Sequence, residues 1–346
     1  MTFRIVVQPS GRRFTAEEGE TILAAGIRQG VALPYGCQEG ACGTCRCRKV
    51  EGRVRHGPHQ AKALSFEDES EDRILTCSAV ALSDLVLESR QVTLASAIPV
   101  RKLVSRVSAL ERCSPDVMLL RLQLPADDPF TYRPGQYVEF LLKDRVRRSY
   151  SIANAPHVDS GRIELHIRHM PGGRFTTHVF GAMKEKEIQR VEGPYGSFYL
   201  REDSDRPIVM LASGTGFAPI KALIEHMQFH NIVRPVSLYW GGRRPQDIYM
   251  DGWVRQKLVE IPTLVFVPVV SNATPEDGWE GRTGFVHVAV LEDLPDLSGH
   301  QVYACGAPVM VDAAREDFRR LAALPEGEFF ADSFITEADK ANGGFA

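Results

Sequence analysis

Residues 37–45 read Cys-Gln-Glu-Gly-Ala-Cys-Gly-Thr-Cys, and the nature of the first third of the chain turns on this stretch. Its thiols are Cys37, Cys42 and Cys45, separated by four residues and then by two. A fourth, Cys77, stands alone further along. Gly36, Gly40 and Gly43 lie between and beside them. Glycine admits positive φ angles, so such a loop can double back and aim backbone N–H groups at sulfur. Four thiolates satisfy two bridged irons, and N–H donors around the sulfurs favour the reduced, more negative cluster.

The order C-x4-C-x2-C followed by a distant cysteine is the plant-type [2Fe–2S] spacing. A four-cysteine zinc site is the competing reading. Zinc favours paired short spacings such as C-x2-C…C-x2-C, whereas here the first pair is four apart and the last ligand is solitary. The chain has 346 residues and seven cysteines. An odd count clustered in this way argues for metal rather than a disulfide scaffold. Cys47 fits no ligand slot and reads as a structural or free thiol, and Cys113 reads as core packing.

Working outward, residues 1–90 form a first unit. FRIVVQ alternates like a strand, ETILAAGIRQG reads as a short helix stopped near Gly30, and DLVLES as another strand. Basic residues Arg46, Arg48, Lys49, Arg53 and Arg55 are segregated from Glu67, Asp68, Glu69, Glu71 and Asp72. A solvated charged face explains this, and so does docking of an acidic partner at the loop Arg46–Arg55. Residues 91–101 read as a linker. Residues 102–202 carry short strands punctuated by Gly and Pro, an antiparallel barrel or sandwich. From 203 to 346 apolar runs alternate with helical stretches such as APIKALIEHMQFH, the βαβ rhythm of a parallel sheet.

Four further segments carry chemistry. RSYS, Arg148–Ser151, offers a cation for a diphosphate, a ring for stacking and hydroxyls (Ser149, Ser151) for hydrogen bonds. Gly172, Gly173, Phe175, Thr176 and Thr177 open a helix-like run, suited to phosphate or to a plain N-cap. GTGFAP (Gly214, Thr215, Gly216 to Pro219) lies between an apolar strand and a helix, where a glycine turn delivers a pyrophosphate to a helix start. CGAP, with Cys305 and Gly306, ends another apolar strand. Ligands of open parallel sheets lie beyond the carboxyl ends of the strands. Cys305 itself reads equally well as a buried strand-end thiol.

Together these motifs resemble the ferredoxin–NAD(P) reductase superfamily, in the group with an N-terminal ferredoxin domain. The resemblance covers nearly the whole chain. It extends to RRSYSIANAP, IELHIR, VEGPYGSF and GFVHVAVLEDLPDLS. It implies a multidomain α+β and α/β chain: a β-grasp ferredoxin domain, an antiparallel β-barrel for FAD and a parallel α/β domain for the nicotinamide. It implies cluster ligands Cys37, Cys42, Cys45 and Cys77. FAD is then held by Arg148, Ser149, Tyr150, Ser151, Gly173, Phe175 and Thr176. Nicotinamide lies beside Gly214, Thr215, Gly216, Cys305 and Gly306, with Ser151, Thr215 and Cys305 nearest the chemistry. A C-terminal aromatic, Phe334 or Phe330, would cover the flavin. The resemblance favours NADH over NADPH, although Arg243 and Arg244 could grip a 2′-phosphate. It implies a protein acceptor, either a deoxysugar dehydrase or an oxygenase component. A non-enzymatic metal module on a degenerate reductase scaffold is the reading from another class.

Net charge is −3, which gives no ground for binding nucleic acid or a membrane surface. No apolar run approaches the ~18 residues of a membrane span. The N-terminus lacks the apolar region of a signal peptide, so a soluble, cytoplasmic protein is expected.

Overall fold

The computed structural model describes residues 1–89, 91–94, 98–336 and 339. The chain divides into two compact units, one of Met1–Ile98 with the segment from Asp332 onward, the other Pro99–Ala331. No helix among the described residues is long and apolar enough to cross a membrane.

The first unit is a five-stranded sheet crossed by one helix. Strand order is Arg12–Glu17, Thr2–Gln8, Leu85–Glu88, Arg46–Glu51, Arg73–Leu75. The first hairpin is antiparallel, while Thr2–Gln8 runs parallel to Leu85–Glu88, the mixed pairing of a β-grasp. Helix Ile22–Arg28 starts where the Thr21 hydroxyl accepts the Ala24 N–H, an N-cap. It stops before Gly30, which sits at φ +72°. Thr93–Leu94, within the expected linker, pairs with Val31–Ala32. Residues 95–97 of that linker lie outside the described residues. The acidic stretch contains a short helix, Phe66–Ser70, with a Ser65/Asp68 capping box that the charge run conceals in the sequence.

The second unit contains two sheets. The first is antiparallel and six-stranded, in the order Arg147–Ser151, Tyr137–Leu141, Ile188–Tyr195, Arg101–Ser114, Val117–Gln123, Arg162–Arg168. Its two edges meet: Ile152 bridges Leu165 and the Ala153 N–H donates to the Glu164 carbonyl. That contact closes the sheet into a barrel filled by Val138, Phe140, Leu165 and Val191. The second sheet runs Arg282–Thr283, Leu264–Val270, Val236–Gly242, Ile208–Ser213, Gln301–Gly306, Phe329–Ser333, and its first five strands are parallel. Helices Phe217–Phe229 and Pro308–Leu321 follow two central strands. Pro308 takes the first helical turn, where its missing N–H has no intrahelical acceptor to lose.

Phe140 is fully buried and its ring supports both Tyr150 and Phe175. Phe140→Ala is expected to destabilise the second unit by about 3–5 kcal/mol and to weaken flavin retention, as read by urea unfolding and by flavin content.

Candidate active site

The cysteine loop follows from backbone sterics. Gly40 and Gly43 have φ of +70° and +71°. A Cβ on Gly40 would stand 2.7 Å from the Pro58 carbonyl oxygen. Gln38 also takes positive φ, at 61°, which the glycine pattern did not indicate. The loop turns donors onto sulfur: Glu39 N–H to Cys37 Sγ at 3.4 Å and Cys37 N–H to Cys42 Sγ at 3.5 Å. The thiols come as two pairs. Cys37 is hydrogen-bonded to Cys42, and the Cys45 and Cys77 sulfurs are 3.2 Å apart. Among the described residues no three His, Cys, Asp or Glu converge as a single-ion site requires. Two pairs instead suit two irons taking two thiolates each. The Thr44 hydroxyl is buried beside Cys42 and, with the Thr44 backbone, helps hold that thiol down. The hydrogen bond with Cys37, working against burial, holds the Cys42 thiol below its ordinary range and drives Cys37 up. Cys47 is raised by burial and lies on the strand, paired with Ile74. Burial also pushes Cys113 up to about 11.

Strand Arg147–Ser151 divides the RSYS motif by period two. Arg148 and Tyr150 share one face and are half-buried. The Tyr150 ring packs edge-on against Phe140 and tilts against Phe175, with centroids 5.7 and 5.5 Å away. Ser149 faces the other way, its hydroxyl 3.4 Å from Glu139 Oε1 beside the Arg147–Glu139 pair. Its side chain is therefore separated from Arg148 and Tyr150. Ser151 is buried at the strand end. The glycine turn leads into helix Arg174–Gly181. A Cβ on Gly173 would lie 2.7 Å from Thr176 Oγ1. Thr176 spends its hydroxyl inside the turn, donating toward the Met170 and Gly173 carbonyls and accepting the Met170 N–H. Phe175 is core and props up Tyr150. The turn's capacity to bind an anion thus rests on backbone N–H groups of the first helical turn.

GTGFAP and CGAP end neighbouring parallel strands, and glycine lets them touch. A Cβ on Gly216 would stand 2.1 Å from the Cys305 carbonyl oxygen, and one on Gly306 would stand 2.2 Å from Ser213 Oγ. The Ser213 hydroxyl accepts the Ala307 N–H. Thr215 and Cys305 are both buried. The Trp240 indole N–H donates to the Gly214 carbonyl, and its ring stacks on Phe217 at 3.9 Å. Helix Phe217–Phe229 starts here and directs N–H groups at the crevice.

At the end of strand Val236–Gly242, Asp247 accepts the Arg243 and Arg244 N–H groups and pairs with Arg168 at 2.6 Å. Arg244 is bound to Asp277 and Thr274. Asp116, Arg243, Asp247 and Asn272 line a cavity of about 350 Å³. The sequence reading missed Arg168, Asp247 and Trp240, together with a buried group around Lys221. The signal for part of it was available: Glu164, His166 and Arg168 alternate along a strand and so share one face.

The C-terminal aromatics separate clearly. Phe330 stacks on Tyr303 at 4.8 Å beneath Arg201. Phe334 lies beyond the strand and is half-buried.

Three family models match in order: a 2Fe-2S iron-sulfur cluster binding domain over residues 5–82, an oxidoreductase FAD-binding domain over 105–199 and an oxidoreductase NAD-binding domain over 210–316. The chain is 39% identical to CDP-6-deoxy-L-threo-D-glycero-4-hexulose-3-dehydrase reductase of Yersinia pestis, over 97% of this chain and 99% of that one. It is 31% identical to terephthalate 1,2-dioxygenase reductase component 1 of Comamonas, covering 97% and 98%. The crystal structure of the Amycolatopsis cytochrome P450 reductase GcoB superimposes with a TM-score of 0.77 at 32% identity, covering 96% and 99%.

Gly216→Ala is expected to force the two strand-end turns apart. Its kcat/KM for reduced nicotinamide should fall at least tenfold, while flavin content and the cluster spectrum stay at wild-type values.

Proposed function

The chain belongs to the ferredoxin–NAD(P) reductase superfamily, in the group that carries its own 2Fe-2S domain, and we propose that it takes electrons from NADH to a deoxysugar dehydrase, as a CDP-6-deoxy-Δ3,4-glucoseen reductase. The chain is an NAD(P)H-dependent electron-transfer oxidoreductase. When bound, the dinucleotide supplies a hydride, the flavin divides its electron pair and the cluster carries single electrons.

The protein's part is alignment. Arg148 would pair with the flavin diphosphate, Tyr150 would offer its ring for stacking, and Ser151 would hydrogen-bond the flavin ring. The helix start after Gly173 receives phosphate through backbone N–H groups. Gly214, Thr215 and Gly216 would receive the dinucleotide pyrophosphate at a second helix start, and Cys305 would lie beside the nicotinamide ring. Phe330 is committed to Tyr303. Cys37, Cys42, Cys45 and Cys77 would hold the irons, and their arrangement as two thiol pairs with backbone N–H donors on Cys37 and Cys42 supports that assignment. What supports the path from nicotinamide to flavin is the touching pair of glycine turns at one end of a parallel sheet.

Greater identity to the Yersinia reductase than to the oxygenase component favours the dehydrase as acceptor. An oxygenase component is the alternative. Docking falls to a narrower patch than residues 46–55 as a whole. Arg46 and Lys49 pair with Asp68 and Asp72 at 2.7 Å, and Arg48 faces Glu88. Arg53 and Arg55 are exposed, and on this reading they would meet an acidic partner. NADH is favoured by the resemblance, and Arg244 is engaged by Asp277. The remaining guanidinium, Arg243, is 70% exposed.

Cys42→Ser is expected to abolish cluster-dependent reduction of cytochrome c and of the acceptor, with NADH–ferricyanide activity retained. Loss of both in folded, flavin-loaded protein contradicts the modular path. In the same assay Arg53→Glu should slow only the acceptor, and indifference to it and to salt removes the docking face. kcat/KM is expected to be at least tenfold higher for NADH than for NADPH, and equal values refute the coenzyme assignment.

A further inference from the structure

Helix Phe217–Phe229 buries a lysine. Lys221 is 5% exposed and lies six residues after Thr215. Its Nζ donates to Glu225 Oε1 at 2.6 Å and to the Ala153 carbonyl at 3.2 Å, and stands 3.2 Å from Glu164 Oε1. Glu225 reaches onward with its other oxygen, which accepts the Ala155 N–H at 2.8 Å. Ala153 and Ala155 immediately follow the strand that ends at Ser151. The lysine and its carboxylates therefore grip the backbone leaving the flavin strand from the helix that opens at the nicotinamide turn.

A second tie runs beside it. Glu164 is held by Arg121 at 2.9 Å and by His166 at 3.2 Å. Burial opposes its charge, but the His166 hydrogen bond and the charges of Lys221 and Arg121 outweigh that and keep the carboxyl ionised. Burial lowers the His166 pKa, and the Glu164 hydrogen bond partly offsets this. Its Nε2 lies 3.2 Å from Glu164 Oε1, and its Nδ1 is hydrogen-bonded to the Tyr249 hydroxyl at 2.6 Å. The Tyr249 ring meets Trp240 edge-on at 5.2 Å, and Trp240 holds the Gly214 carbonyl.

Buried ion pairs of this kind are weak stabilisers, since desolvation cancels much of their attraction. Stability alone does not account for one placed between two ligand turns. We propose that Lys221 is a positioning residue for hydride transfer: with Glu164 and Glu225 it fixes the flavin strand relative to the nicotinamide turn, and Tyr249 completes the alignment through His166. This rests on the reductase reading above and assigns these residues no contact with either cofactor.

The test pairs Lys221→Met with Glu225→Gln, which removes the ion pair, keeps an acceptor for Ala155 and leaves Glu164 to Arg121 and His166. The expected result is an unchanged unfolding midpoint, and a flavin dissociation constant and KM for NADH each within threefold of wild type. The kcat for ferricyanide reduction should fall about 10–100-fold, the scale of a sub-ångström to ångström misalignment, and the primary isotope effect on kcat with deuterated NADH should rise. A wild-type kcat and isotope effect, or a kcat that falls only in proportion to lost flavin, overturns the proposal. If the double variant does not fold, Tyr249→Phe decides by the same criteria. Wild-type protein without NADH–ferricyanide activity would refute the reductase reading itself, whereas an active wild type with an unaffected variant refutes only this inference.

Discussion

Two strand ends touch because neither carries a side chain at the point of contact. Gly216 lies on the Cys305 carbonyl and Gly306 lies against Ser213, each closer than any Cβ allows. This reciprocal approach makes the crevice at the carboxyl end of the parallel sheet. It also brings Thr215 and Cys305, 90 residues apart in sequence, to one place. The start of helix Phe217–Phe229 faces the same crevice, so its backbone donors are available to an anionic ligand. The Trp240–Phe217 stack and the Ser213 hydroxyl bond to Ala307 then hold the turns in register.

Charge is used in two ways in this chain. On the surface of the first unit, the basic strand Arg46–Glu51 and the acidic segment 67–72 neutralise each other through Arg46–Asp68 and Lys49–Asp72. Their effect here is to subtract charge from a face that looks strongly basic in sequence. Inside the second unit, Lys221, Glu164, Glu225 and His166 are all buried. Their partners are fixed by geometry that water cannot loosen. The same ionic chemistry therefore blunts a docking patch in one unit and joins two ligand-binding segments in the other.

The cluster loop, the RSYS strand and both glycine turns were legible because each has a local cause. Thiol spacing, period-two alternation and strand–glycine–helix order are all written within a few residues. The roles of single side chains were less legible. Phe175 and Thr176 belong to a phosphate-type turn in sequence, yet one proves to be the prop for Tyr150 and the other a brace within the turn. Ser149 belongs to the motif but turns toward Glu139. Phe330 and Phe334 were equivalent until Tyr303 and Arg201 claimed the first.

By itself the sequence determined the three-part order of cluster, flavin and nicotinamide segments and the backbone freedom each needs, because glycines, thiols and apolar periods act locally. Only the tertiary structure decided which charges remain available and which side chains reach across. Arg46 lost its freedom to a helix 20 residues away, and Lys221 found Glu164 and Ala153 in another sheet. The Lys221 pairings depend on how the barrel closes against a helix that begins some 50 residues later, and no local pattern encodes that distance.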